Sequence, residues 1–345
     1  MHEIKMLTEH DYQNWDNFIE KSNAVLPYHS TKWLRVLKNT YTHKPIYLFS
    51  KNRDRINGIL PLFQVKIPFY GKILASGVFT SYAGVCSDSK AVDSELMSEA
   101  ALWAERINAL YLEVKNSRRV TISNSEWNKK TDFCTMILDL NDGADKVWSN
   151  WRQKSRTDVR KAQKSNIIIE FGNQYLDDFY EVISLNMRGL GTPVHSKKLY
   201  LNILHEFPDN AKIFVAKYEG NTICAVLTIE FKDTIYAHAM GQIYKYRALK
   251  PSALIYWRII QYASEKGYKA LDFGRSAWNS GTFNFKKHLG AEPQQLHYDY
   301  YLNRINEVPH IYQDNTKFAI PRKLWRVLPI SLTKILGPHF IKYVV

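Results

Sequence analysis

From Phe273 to Gly290 the chain reads Phe-Gly-Arg-Ser-Ala-Trp-Asn-Ser-Gly-Thr-Phe-Asn-Phe-Lys-Lys-His-Leu-Gly, its richest run of polar, reactive and backbone-permissive residues. Arg275, Lys286, Lys287 and His288 are cationic or proton-donating, and Ser276 adds a hydroxyl. Such groups bind anions and steady negative charge that develops during a reaction. Gly274 and Gly281 let the backbone approach a ligand or take a positive φ. A Gly-rich connector with a solvated basic end has the same composition, and spacing leaves both readings open. Just before it, Tyr268 to Phe273 reads as a short apolar strand after a helix that ends at Gly267. The stretch therefore opens at the carboxyl end of a sheet strand, where α/β sheets usually bind ligands.

Two other stretches hold candidate groups. Read as one helix, Ala144 to Ser165 puts Arg152, Arg156, Arg160 and Lys164 at successive i, i+4 positions, with Lys154 and Lys161 beside them and Trp148, Trp151 and Val159 available to pack inward. Like charges at that spacing cost a helix a few tenths of a kcal/mol per pair, roughly, which an anionic partner would offset. A solvated charged face is the alternative. Further on, Thr192-Pro193-Val194-His195-Ser196 is a polar loop. His195 suits a general base by its ordinary pKa, and equally an unremarkable loop histidine.

The elements that must position these groups follow from periodicity. Glu3 to Leu7 suits a strand, Thr8-x-x-Asp11 a capping box, and Tyr12, Trp15, Phe18 and Ile19 one helix face. His29-Ser30-Thr31 caps a second helix through Trp33, Val36 and Leu37. Ile46 to Phe49 and Gly58 to Phe63 flank a polar turn as a β-hairpin, and Ile73 to Val85 reads as further strand. A helix through Leu96, Ala100, Trp103 and Ile107 precedes the strand Leu110 to Val114.

The second half repeats this order. Ala211 to Tyr218, Ile223 to Phe231 and Thr234 to Met240 form a meander, Ser252 caps a helix through Ile255, Ile259 and Tyr262, and Ala270 to Phe273 is the next strand. The helix from Leu176 to Met187 ends at Gly189-Leu190-Gly191. Ile46 and Ile213 are 167 residues apart and Leu112 and Leu271 are 159 apart, which predicts two mixed α/β units of one plan in tandem.

Composition bounds the function. The 345 residues are 45% hydrophobic and 23% charged, as in a folded protein, and are long enough for two domains. A formal net charge of +14 implies an anionic partner: nucleic acid, a pyrophosphate-linked precursor or an acidic membrane surface. Cys86, Cys134 and Cys224 lie 48 and 90 residues apart, without a metal-like cluster or disulfide framework, and read as buried small hydrophobes. No metal is expected. The first residues contain no signal-peptide core and no apolar run approaches bilayer length, so the expected location is the cytoplasm.

Arg188-Gly189-Leu190-Gly191-Thr192-Pro193, Ala225-Val226-Leu227, Asp272-Phe273-Gly274-Arg275-Ser276, Ser280-Gly281-Thr282-Phe283-Asn284-Phe285-Lys286-Lys287 and Leu296-His297-Tyr298-Asp299-Tyr300 together resemble the Fem-type acyltransferases. Within these they resemble the FemAB-like proteins encoded with bacterial exosortase and exopolysaccharide systems. The resemblance covers roughly residues 3 to 303, with specific motifs mainly from Arg152 onward. It implies an α/β (α+β) fold of two tandem GNAT-like units, each a mixed central sheet flanked by helices, over residues 1–145 and 146–303. The second unit begins with the basic helix, and a basic amphipathic tail follows at 304–345. It implies transfer of an acyl or aminoacyl group to a primary amine of a lipid- or nucleotide-linked peptidoglycan or exopolysaccharide precursor. The donor is aminoacyl-tRNA or acyl-CoA, with no cofactor tightly bound.

Direct attack by an amine needs a proton acceptor, an oxyanion stabiliser and help for the leaving group, without a nucleophilic Ser or Cys. Lys286 matches the lysine that follows phenylalanine in the Fem motif, which implies stabilisation of leaving-group or oxyanion charge. Arg275 suits a phosphate or carboxylate, and Asp272 would orient Arg275, attract the amine or simply cap the loop. Thr192, His195, Ser276, Gly281 and Tyr298 complete the expected substrate contacts with Arg152, Arg156, Arg160 and Lys164; Tyr298 and Tyr300 alternate with Asp299, one set toward the channel and one toward the core.

One departure concerns the donor. GNAT enzymes hold the CoA pyrophosphate on a Gly-rich loop before a helix N-terminus, and neither Arg247 to Ala253 nor Asp88 to Asp93 keeps the glycines. The tail mixes apolar and basic residues broken by Pro329 and Pro338, which suits either an anionic leaflet at the inner face of the membrane or packing on the second unit. A non-catalytic module that binds anionic polymer, and a plain nucleic-acid-binding protein, remain as other classes.

Overall fold

The computed structural model describes residues 3–53, 55–122, 127–309 and 319–345. Two compact units emerge: Met1–Cys134 with Gln295–Ile311 and Tyr343–Val345, and Thr135–Gln294 with Tyr312–Lys342.

In the first unit, strand β1 (Glu3–Met6) leads into the expected capping box, where the Thr8 hydroxyl and amide donate to Asp11 Oδ2 at 2.6 and 3.1 Å. Helix α1 (Tyr12–Lys21) buries Trp15, Phe18 and Ile19, and Ser30 accepts the Trp33 N–H at 3.3 Å to start α2 (Thr31–Thr40). Strands β2 (Lys44–Asn52), β3 (Arg55–Ile67) and β4 (Gly71–Ser76) form an antiparallel meander. Its strands are apolar on both faces because both are covered. Trp15 lies 5.3 Å from Tyr47 on one face, while Ile46 and Leu48 join Leu60, Leu62, Leu96 and Met97 in the core. The run from Ile73 to Val85 is not one strand: β4 stops at Ser76, Gly77 and Phe79 take positive φ, and the chain turns before the short β5 (Cys86–Ser87) beside β3. Helix α3 (Lys90–Arg106) then crosses to β6 (Tyr111–Asn116), parallel to β4 at Leu74 and Leu112; β7 (Trp127–Lys130) follows.

The second unit opens with β8 (Phe133–Asp139) and two helices, α4 (Gly143–Asn150) and α5 (Gln153–Lys164), where one basic helix was expected. The break follows from burial of Trp151, whose indole N–H donates to Leu289 O at 2.8 Å and whose ring packs 5.3 Å from Trp257. Strand β9 (Ile168–Phe171), α6 (Leu176–Leu190) and α7 (Lys197–Glu206) precede the meander of β10 (Ala211–Tyr218), β11 (Asn221–Phe231) and β12 (Thr234–Gln242). Gly191, at φ +74°, ends α6, two residues beyond Gly189. Helix α8 (Pro251–Glu265) starts before Ser252, at Pro251, whose fixed φ suits a first helical position; the Ser252 hydroxyl instead meets Gln242 Oε1. Then come β13 (Ala270–Ala277), α9 (Gly281–His288) and β14 (Glu292–Gln295). The remaining elements are β15 (His297–Leu302), α10 (Ala319–Val327) and α11 (Ile330–Ile341).

The first sheet runs β1-β2-β3-β4-β6-β15-β7 and the second β14-β8-β13-β12-β11-β10-β9. The two plans match: a meander, a crossover helix, then a parallel strand, with β12 beside β13 as β4 is beside β6. The expected boundaries at 145 and 303 differ from the observed units because each sheet draws one strand from the other side of them. Strand β8 joins the second sheet, and β15, expected in the second unit, pairs with β6 and β7 in the first. Polar pairs hold it there. Tyr300 donates to Glu113 Oε1 at 2.5 Å and Asn116 donates to Asp299 Oδ2 at 2.8 Å, both between buried side chains. Burial pushes the Asp299 carboxyl up, and the bond from Asn116 opposes that.

Close packing of β12 on α6 yields a stability prediction. A Cβ on Gly241 would stand 2.9 Å from Ile183 Cα and 3.2 Å from Val182 O, both backbone. Gly241→Ala is expected to destabilise the chain by about 2–3 kcal/mol, read from urea unfolding.

Candidate functional site

The second unit's site forms where β12 and β13 part. They pair in parallel at Thr234 with Ala270, Ile235 with Leu271 and Tyr236 with Asp272, and β12 continues to Gln242 and β13 to Ala277. Along β12 the register against β11 shifts between Leu227 and Thr228, so that His238 falls as the extra residue between Ala237 and Ala239. Such bulges re-aim a side chain. The loop after α6 brings His195 to the same region, its carbonyl accepting from Tyr180 Oη at 3.2 Å.

Both residues keep some surface, yet their imidazoles are desolvated. Burial pushes His238 down to about 4. Burial and then His238 itself push His195 down to about 3, so the two rings are near enough for charge on one to disfavour charge on the other. Burial likewise holds the Tyr236 hydroxyl up, and the Asp272 charge adds to it. Asp272 Oδ1 accepts from Thr135 Oγ1 at 2.6 Å and from Gly274 N at 2.7 Å. The arrangement is a pair of neutral imidazoles, a protonated phenol and a buried carboxylate on adjoining elements. It can hold an uncharged amine and pass on its proton.

Lys286 is buried, and its ammonium donates to Gly274 O and Arg275 O, both at 2.9 Å. The expected catalytic lysine thus pins the end of β13, placing a positive charge there. Gly274 is at φ +74°, in the left-handed region that glycine adopts without strain. Of the stretch first read as loop, Gly274 to Ala277 are strand and Gly281 to His288 are helix. Arg275 is exposed and Ser276 buried. Ser280 accepts the Phe283 N–H at 3.2 Å to start α9, and Gly281 has open space where a Cβ would stand. Thr192 is half-buried, its amide donating to Met187 O at 2.9 Å.

The basic stripe is dispersed. Arg152 stands at the α5 N-cap, and Arg156 donates to the last carbonyls of α4, Trp148 O at 3.3 Å and Ser149 O at 3.0 Å. Arg160 lies 5.6 Å over the Trp148 ring, and Lys164 is exposed. Asp158, unweighted in the sequence reading, pairs with Lys250 at 3.3 Å. Tyr298 belongs to the first unit, where its hydroxyl donates to Ser81 O at 2.5 Å. Tyr298, Asp299 and Tyr300 are all buried, so both faces of β15 are covered. Sequence reading missed His238, because a bulge carries no residue signature on a strand, and Tyr236, which looks like any strand tyrosine.

The three cysteines are buried thiols, and burial pushes Cys224 up to about 12. In the first unit a groove of about 530 Å³ is lined by Asn17, Lys21, Arg53, Arg55 and Asp88, with Arg55 and Asp88 paired at 3.6 Å. Its amides and ion pair offer no neutral base such as the histidine pair does.

A pH prediction follows from the histidines. In the folded chain both stay neutral well below the ordinary value near 6.5, whereas the unfolded chain takes up protons there. Stability is therefore full above about pH 6.5 and is lost as pH falls toward 4. His195→Asn or His238→Asn should flatten that acid loss in unfolding titrations, and the activity of the intact protein should show no acid limb near pH 6.5.

Residues 149–287 match the family described as acetyltransferase (GNAT) domain. Among solved structures, the chain is similar to FemX, at 15% identity and a TM-score of 0.68 over 88% of this chain and 98% of that one. It is also similar to a tandem GNAT protein from the clavulanic acid biosynthesis pathway, at 9% identity and a TM-score of 0.58 over 89% and 100%. A third likeness is to the C-terminal domain of a putative lysylphosphatidylglycerol synthetase from Agrobacterium fabrum, at 11% identity and a TM-score of 0.55 over 85% and 91%. No curated protein is similar enough to count as a relative. The fold is that of two GNAT-like units, as expected. Among the described residues no helix is long and apolar enough to cross a membrane.

Proposed function

We propose that the chain is an N-acyltransferase that moves an aminoacyl group from aminoacyl-tRNA to a primary amine of a peptidoglycan peptide or an exopolysaccharide amino sugar. The observation that carries this reading is the neutral pair His195 and His238 beside Tyr236 and Asp272, at the parting of β12 and β13. The amine attacks the ester carbonyl directly: the N–C bond forms, the C–O bond of the ester breaks, and one proton passes from the amine to the departing oxygen. A neutral imidazole accepts the amine's hydrogen bond and carries that proton, and the Tyr236 hydroxyl donates to the oxyanion. Lys286 contributes positive potential at the end of β13, where leaving-group charge develops.

The likeness to FemX and to the putative lysylphosphatidylglycerol synthetase supports an aminoacyl donor and an envelope acceptor. The start of α8 supports the same donor. Pro251 has no N–H, and the Ala253 and Leu254 amides already donate to Lys250 O at 3.1 and 3.4 Å, which leaves little of a pyrophosphate cradle. The resemblance to exosortase-associated FemAB-like proteins is what extends the acceptor to amino sugars.

Binding of the purified protein to bulk aminoacyl-tRNA, deacylated tRNA and acetyl-CoA, across a salt series, tests the donor. The proposal expects aminoacyl-tRNA to bind at least about tenfold tighter than deacylated tRNA, about 1.4 kcal/mol. Binding of acetyl-CoA alone would overturn it in favour of a thioester donor.

A further inference from the structure

Helix α10 turns its apolar stripe away from the protein. Ile320, Leu324 and Val327, at i, i+4 and i+7, are 71%, 62% and 79% exposed, and Ile335 on α11 adds a fourth large side chain at 64%. A helix seated on a core by its apolar face shows the reverse. Other sides of these helices do the seating. Thr333, Gly337 and Ile341 of α11 are buried, and a Cβ on Gly337 would come within 2.8 Å of Val194 O, beside His195. A Cβ on Gly191 would meet Arg322 O at 2.8 Å, Arg188 donates to Leu328 O at 3.3 Å, and Arg326 donates to Leu190 O at 3.4 Å. The exposed stripe is therefore a second face, held outward by contacts that do not use it.

The two helices themselves carry charge of one sign, and one of their cations, Lys334, pairs with Glu181 of α6. Residues 319–345 contain Arg322, Lys323, Arg326, Lys334 and Lys342, and no aspartate or glutamate. Lys323 and Arg326 alternate with the stripe and are exposed. An apolar face on helices whose own charges are all cationic matches the boundary between acyl chains and anionic headgroups: the aliphatic side chains enter the hydrocarbon edge while Lys and Arg reach the phosphates.

We propose that α10 and α11 dock in the plane of an anionic phospholipid bilayer, with Ile320, Leu324, Val327 and Ile335 in the headgroup–acyl boundary. This inference goes beyond the acyl-transfer reading and stands without it. Because α11 rests on Val194, docking seats the lipid surface on the same element that holds the His195 loop.

Sedimentation of the full chain with phosphatidylcholine vesicles, with and without roughly one-third phosphatidylglycerol, tests it. The expected result is binding to the anionic vesicles that weakens with salt and falls at least about tenfold in the combined I320S, L324S and V327S variant, whose melting should match the parent because these side chains are exposed. No binding to anionic vesicles, or equal binding by the variant, overturns the proposal. So does a dimer that the variant splits while vesicles go unbound, which would make the stripe a contact between copies. Should the variant fail to fold, the intact chain decides: equal partition onto both vesicle types, or no salt dependence, contradicts it.

Discussion

Replacing Lys286 with Met lowers kcat/KM for acyl transfer by about 10²–10³-fold, the effect of removing one donor or charge at a developing anion. Met keeps most of the apolar stem, so the change isolates the ammonium. In the structure that ammonium serves the carbonyls of Gly274 and Arg275, and its loss also leaves two acceptors poorly satisfied. Each costs about 1 kcal/mol or more, so unfolding measurements should show a loss near 2 kcal/mol. The two readouts separate the roles. If Lys286 only holds the end of β13, activity at a temperature where the variant is fully folded stays within a few fold of the parent.

Asp272→Ala is expected to have the largest effect on stability at the site, about 2–4 kcal/mol in urea unfolding. The carboxylate is buried and its Oδ1 receives both the Thr135 hydroxyl and the Gly274 amide, so truncation strands two donors at once. Asp272→Asn keeps an oxygen for them and should recover most of the stability. Activity should not recover with it, because the neutral amide no longer supplies the charge beside Tyr236. Full activity in the Asn variant would reduce Asp272 to a loop cap.

How much of this was legible in the sequence depended on what kind of signal each feature leaves. Continuous apolar runs such as Ile46 to Phe49 and Ile223 to Phe231 marked the strands because both faces of each sheet are covered. The repeated order of meander, helix and strand was therefore visible without residue identity between the halves. Strand partners were not visible. Alternation along Leu296 to Tyr300 says which side chains share a face, and nothing in it says that β6 and β7 receive the strand. The stripe from Arg152 to Lys164 misled for a related reason. The break between α4 and α5 is made by burial of Trp151, with no glycine or proline to announce it, and Arg156 then became a cap for carbonyls that exist only once the helix is broken.

The site was legible in part. Asp272, Lys286 and His195 stood out by residue type and position, and the structure sets them around one end of the second sheet. His238 did not, since an imidazole in a strand is ordinary until a register shift turns it. The contacts of the basic residues were the least readable, because composition reports that the chain is basic and leaves open that Arg156 meets the carbonyls of α4 and Arg160 the Trp148 ring.

The most direct test of the central claim is product formation. Purified protein, charged tRNA and a nucleotide-linked muramyl peptide or amino-sugar precursor are incubated together, and the acceptor is weighed by mass spectrometry. The expected product is an acceptor heavier by one aminoacyl group in amide linkage, formed by the intact protein and reduced by at least about 10²-fold in His238→Ala. Equal product from the His238→Ala variant, or product formed only when acetyl-CoA replaces the charged tRNA, would contradict it.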